Sequence, residues 1–110
     1  MMLKSGEKIH AIHRQLYEGD AKRHFVGTVE ECEGTLARVK GYLFAMDTKS
    51  NQFVRRDSIR IRIIPLDSAE VIVNVLPEHV QIDKITYKYR PAQDILVTDG
   101  SDWHLDLTHL

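Results

Sequence analysis

Alternation is the feature that most constrains this chain. Ile59-Arg60-Ile61-Arg62-Ile63 repeats with a strict period of two, which puts isoleucines on one face of a β-strand and arginines on the other. Pro65 closes the run, because proline has no N–H to give a central ladder. The same habit recurs along most of the chain. Phe25, Val26 and Val29 form a strand that ends at the acidic run Glu30-Glu31-Cys32-Glu33-Gly34, read as an exposed turn. Leu36 to Met46 is a long strand in which Val39, Gly41 and Leu43 alternate with Lys40 and Tyr42. Val71, Val73 and Val75 follow and stop at Pro77; Val80 to Ile85 alternates again. Ile95-Leu96-Val97 and Trp103 to Leu107 flank Asp99-Gly100, a hairpin signal.

One helix is expected, from Gly6 to Glu18. Ser5 caps it, Glu7 sits in the positive first turn, and Ile9, Ile12, Leu16 and Tyr17 fall on one face at helical spacing. Gly19 suits the left-handed position that follows a helix. One helix and about five closely spaced strands outline a mainly β fold, a small closed or nearly closed barrel of bent antiparallel strands. Residues 1–92 make up the barrel with its helix. Residues 93–110 form an acidic β-hairpin extension of the same domain.

Composition narrows the function classes. At 110 residues there is room for one domain. The single cysteine, Cys32, can make no internal disulfide, which points to a reducing compartment, the cytoplasm. No apolar run reaches the roughly 18 residues of a membrane span. Charge is balanced overall but uneven. Residues 94–110 hold four acids and no Lys or Arg, so the first 93 residues carry 15 basic against 12 acidic groups, a net of +3. That is too small for a nucleic-acid footprint by charge alone.

Val39-x-Gly41-x-Leu43, Met46, Asp47 and Asn51, with Val54 beyond, resemble the first signature of the Sm-like family, small barrels that assemble into RNA-binding rings. A mid-strand glycine suits a sharply bent strand, and Asp and Asn can close a loop on their own backbone. The family's second signature is degraded. Leu76-Pro77 stands where Arg-Gly is usual, and Lys49 occupies a position that is often aromatic or histidine. The resemblance implies an Sm-like, SH3-type small barrel of about five strongly bent antiparallel strands, and a homo-oligomeric ring with single-stranded RNA at its pore. Asp47, Lys49, Asn51, Arg55 and Arg56 would form the RNA site, and Val71, Val73, Val75, Val80 and Ile82 the subunit interface. Loss of the second signature equally suits an oligomeric scaffold or protein-interaction module without a nucleotide site. Arg55, Arg56, Arg60 and Arg62 read either as a phosphate-binding face or as the solvated, edge-protecting side of a strand.

Enzyme chemistry finds no foothold in the sequence: there is no phosphate-binding glycine loop, no nucleophile elbow and no Cys/His pair at motif spacing. No cofactor and no metal are expected. His10 and His13, three apart on the expected helix, lack the further ligands of a tetrahedral set. Trp103 is expected to anchor the C-terminal hairpin on the barrel or on a neighbouring subunit.

Overall fold

The computed structural model describes residues 3–14, 22–56, 58–91 and 94–107. Two antiparallel sheets make up the fold. The first holds β1 (Lys8–His13), β2 (Arg23–Glu33), β3 (Leu36–Asp47), β4 (Gln52–Arg55), β5 (Arg60–Pro65) and β6 (Val71–Leu76). Its order is β4-β3-β2-β1-β6. β5 lies beside β4 on the same edge of β3, pairing Leu36–Gly41 while β4 pairs Phe44–Asp47. The second sheet holds β7 (Thr86–Tyr89), β8 (Ile95–Thr98) and β9 (His104–Asp106), in that order.

The expected N-terminal helix is absent. Residues 8–13 are instead the strand β1, bonded to β2 on one side and β6 on the other; residues 15–18 of that expectation lie outside the described residues. Ile9 and Ile12 satisfy a helical stripe, but Ile9 and Ala11 also alternate onto one face, and both are fully buried. Pairing along both edges satisfies every β1 backbone group and outweighs the weak local preference. His10 and His13 therefore point to opposite faces.

The barrel is also not closed. Among the described residues β5 pairs only β3, and β6 pairs only β1, so both edges of the sheet stay open there. Val80 to Ile85 is no strand: Ile82–Lys84 is a 3-10 turn. The lysine of β1 holds the segment before it, Lys8 Nζ donating to the carbonyls of Glu78 (2.6 Å) and Val80 (2.5 Å). The acidic run is likewise not a turn. β2 continues through Glu33 past a bulge between Val29 and Glu31, and the chain reverses at Gly34 with φ of 59°.

Each face of the six-stranded sheet carries a core. On one, Ile9, Ala11, Phe25, Val29, Ala37, Val39, Leu43 and Ile64 cluster, with Val71 and Val73 packed against them. These come from β1, β2, β3, β5 and β6, so the sheet curls over this face and covers itself. Gly27 and Gly41 permit the curl. They face each other across β2 and β3, and a Cβ on Gly41 would lie inside the contact distance of the Val26 carbonyl and the Gly27 Cα. The other face carries Val26, Phe44, Leu76, Val80, Ile85 and Val97, and the second sheet packs there with Tyr87, Trp103 and Leu105. The 95–106 hairpin is present, and Trp103 packs at this second core. No helix among the described residues is long and apolar enough to cross a membrane.

Candidate functional site

Three features carry chemistry: a buried polar cluster between the sheets, the β3–β4 hairpin, and β5.

The polar cluster joins the two sheets. His10 on β1 and His24 on β2 project from the face that the second sheet covers, and Tyr87 of β7 places its hydroxyl between them. The oxygen lies 2.8 Å from His10 Nε2 and 2.5 Å from His24 Nδ1. With one hydroxyl proton, Tyr87 donates to one imidazole, which must be neutral to accept, and accepts from the N–H of the other. Burial keeps both rings neutral. His10, wholly enclosed, is held down to about 4, and His24 to about 3, by desolvation first and then by His10, His13 and Lys22. Burial pushes the Tyr87 phenol well up. Phe53 stacks on His24 with ring centres 4.3 Å apart, and Phe44 and Phe53 each lie 4.9 Å from Tyr87. A fully enclosed His10 cannot meet a solute, so this cluster acts as a latch between sheets. Beside it, between β4 and β7, opens a cleft of about 470 Å³ lined by Phe44, Phe53, Arg55 and Lys84.

The hairpin gathers three of the five expected RNA-site residues. Asp47 Oδ1 accepts from the Lys49 N–H (3.2 Å), and its Oδ2 from Ser50 Oγ (3.0 Å). These bonds hold its carboxyl below the usual range, with Arg56 contributing. The Asn51 N–H donates to the Asp47 carbonyl (2.8 Å), and Asn51 takes a left-handed φ of 55°. Asp47 and Asn51 thus build the turn, as short polar side chains do, while Lys49 and the Asn51 amide lie exposed on it. Arg56 stays near Asp47. Arg55 goes elsewhere: its guanidinium covers the Tyr42 ring at 4.8 Å and donates to the Asp83 carbonyl (2.8 Å).

β5 reverses the usual polarity of an amphipathic strand. Its register, Ile64 opposite Ala37 and Arg62 opposite Val39, puts Ile64, Arg62 and Arg60 on the curled, core-lined face. Ile61 and Ile63 go to the opposite face and stand 54% and 53% exposed. Ile59 (52%) and Leu36 (48%) extend the same exposed apolar stripe. Arg55 and Arg62, read together in the sequence, therefore lie on opposite faces.

The expected interface residues scatter. Val71 and Val73 pack at the first core, Val75 is 60% exposed on β6, Val80 is buried between the sheets, and Ile82 packs there in part. Among the described residues, no three His, Cys, Asp or Glu side chains group to hold a metal ion. Sequence reasoning missed His10, His24 and Tyr87 as a unit. Their only local signal is two histidines and a tyrosine within strand-like runs, which says nothing about their meeting. Set against family models, curated proteins and solved structures, the chain matches none.

Proposed function

We propose that the chain is a subunit of a homo-oligomer, in which the free edge of β5 in one copy pairs with the free edge of β6 in the next. The observation that carries this reading is the exposed stripe Ile59, Ile61, Ile63 and Leu36 beside an unpaired strand edge. An apolar, unpaired edge invites association unless it is covered. Burying the exposed half of each of these four side chains contributes roughly 1 kcal/mol apiece. At the other end of the sheet, β6 offers Ile72 (44% exposed) and Val75 beside a second free edge. Two unlike edges meet head to tail, and such contacts close into a ring or continue as a filament.

Light scattering after size exclusion tests this. The native chain is expected above monomer mass, and the double substitution Ile61→Lys and Ile63→Lys is expected as a folded monomer. Because both positions are exposed, the substitutions leave the core intact. A monomeric native chain at the highest soluble concentration would end the proposal.

A second reading, single-stranded RNA at the β3–β4 hairpin, is favoured by the exposed Lys49 and by an Asn51 side-chain amide that no described residue engages. Splayed bases are read by such polar edges and held by nearby cations. Fluorescence anisotropy with U-rich and A-rich RNA across a salt series tests it. Binding that weakens with salt and is lost in Asn51→Ala supports the reading, and no binding at low salt removes it.

A further inference from the structure

The cleft beside the latch exists because β4 and residues 83–87 approach each other from different sheets without pairing. Two hydrogen bonds tie the walls instead. The Arg55 guanidinium donates to the Asp83 carbonyl (2.8 Å), and the Phe53 N–H donates to the Tyr89 hydroxyl (2.6 Å). With the walls held at these points, a space of about 470 Å³ stays open, within the roughly 300–1,000 Å³ of small-molecule pockets. Its floor is aromatic. Phe44, Phe53 and Tyr87 line it, the Tyr87 ring centre lying 4.9 Å from each of the other two with planes tilted by 38° and 31°. Phe44 and Ile85, 3% and 1% exposed, belong to the second core and hold this floor in place.

The rest of the lining is polar. Arg55 and Lys84 stand on opposite walls, with Asp83 and Thr86 beside Lys84 in the chain. Arg55 is exposed yet fixed, because its guanidinium covers the Tyr42 ring at 4.8 Å as well as bonding Asp83. An anion that meets it finds a planar fork already in position. The peptide N–H of Arg55 points towards the same side of β4. The Arg56 N–H donates back to Leu43 on β3 (2.9 Å), the Phe53 N–H donates away from β3, and directions alternate along a strand. A wall of aromatic rings packs best against another flat ring. A guanidinium fork beside an ammonium group matches the paired oxygens of a carboxylate or a phosphate.

We propose that the cleft between β4 and residues 83–87 binds a small planar aromatic molecule that carries one anionic group, a carboxylate or a phosphate. The ring lies against Phe44, Phe53 and Tyr87, and the anion meets the Arg55 fork and the Lys84 ammonium. The site uses neither the free edge of β5 nor the Asn51 amide, so it stands apart from both readings above.

Titration calorimetry and NMR test this with four probes: naphthoate, its neutral amide, cyclohexane carboxylate and adenosine monophosphate. Saturable naphthoate binding is expected, and it should move the Val54 and Ile85 methyl resonances of the native chain, a readout independent of any variant. The neutral amide should bind roughly tenfold or more weaker, as loss of a charged hydrogen bond predicts. Cyclohexane carboxylate, which keeps the anion but lacks the flat ring, should also bind more weakly. Arg55→Gln and Lys84→Gln should each weaken naphthoate, and Arg55→Lys, which keeps the charge without the fork, should fall between Arg55→Gln and the native chain. Asp83→Asn removes a lining carboxylate and should tighten binding. Lys40→Gln, exposed on β3 outside the cleft, should leave it unchanged. Circular dichroism of each variant shows that it is folded.

Adenosine monophosphate that displaces naphthoate and binds more tightly identifies a phosphate-bearing ring, and the reverse order identifies a carboxylate. No saturable binding of either overturns the proposal. An amide that binds as tightly as naphthoate removes the anion from it, and so refutes it. Naphthoate binding that moves neither methyl resonance, or that survives intact in both Arg55→Gln and Lys84→Gln, lies at another place and refutes it equally.

Discussion

Removing one oxygen tests whether the two sheets are latched by the Tyr87 hydroxyl. Tyr87→Phe keeps the ring, and with it the contacts to Phe44 and Phe53 at 4.9 Å and to His24 at 5.6 Å. It removes both hydrogen bonds that the hydroxyl makes, to His10 Nε2 and His24 Nδ1. His10 is 0% exposed and His24 7%, so neither nitrogen regains a full water partner. A buried polar group left unsatisfied costs about 1–3 kcal/mol. Two such groups, partly relieved by tautomer change, place the loss at about 2–4 kcal/mol. Set against the roughly 5–15 kcal/mol that holds a domain together, this is a large fraction. In urea unfolding, with a slope of about 1.5 kcal/mol per molar, the midpoint should fall by about 1.3–2.7 M at unchanged slope. A loss under about 0.5 kcal/mol would refute the latch, because it would mean that the histidines are satisfied by other means. A changed slope would instead show that the second sheet opens separately from the first.

Acid should weaken the same latch. His10 and His24 are neutral when folded and protonate near 6.5 when unfolded, so the unfolded chain takes up protons first as pH falls. Their stabilisation is fully present above 6.5 and is lost progressively towards about 4 for His10 and about 3 for His24. The slope reaches about 1.4 kcal/mol per pH unit for each ring, so urea midpoints measured from pH 7 to 4.5 should fall steeply, and a flat profile would refute the buried neutral pair. Gly41→Ala should cost about 3 kcal/mol or more, since its Cβ would press backbone against backbone, whereas Gly34→Ala, open but left-handed, should cost about 1 kcal/mol. Equal thermal shifts for the two would contradict the close approach of β2 and β3. Asp99 accepts from Ser101 N–H (3.0 Å), Ser101 Oγ (2.6 Å) and the Gln81 N–H (2.9 Å), the Ser101 hydroxyl first and the Gln81 N–H next holding its carboxyl at about 2. Asp99→Ala should therefore lose about 1–3 kcal/mol and Asp99→Asn less, read from thermal melts; an unchanged Tm for the alanine variant would show that the turn closes without this side chain.

How much of this was legible depends on how far each signal reaches along the chain. Pro65 ends β5 as expected, and the alternation of residues 36–46 and 71–76 appears as β3 and β6. Alternation is a property of neighbouring residues, so the strands it marks can be read without knowing their partners. The polar turn at Asp47 to Asn51 was legible for the same reason. Its side chains bond within four residues. Segment 8–13 was misread because Ile9 fits a helical stripe with Ile12 and an alternating face with Ala11, and only the pairing of β1 with both β2 and β6 decides between them.

By itself, then, the sequence determined that the chain is mainly β and where most of its strands and tight turns lie. Local geometry sets both. Only the tertiary structure decided which face of each strand is inward. The period of Ile59 to Ile63 is the same whichever way it faces, and long-range register with β3 turned its arginines in and its isoleucines out. Tertiary packing also stacked one sheet on the other and brought Tyr87, 77 residues from His10, to the two histidines. Such meetings depend on burial and on pairing across the whole chain, and no local pattern encodes them.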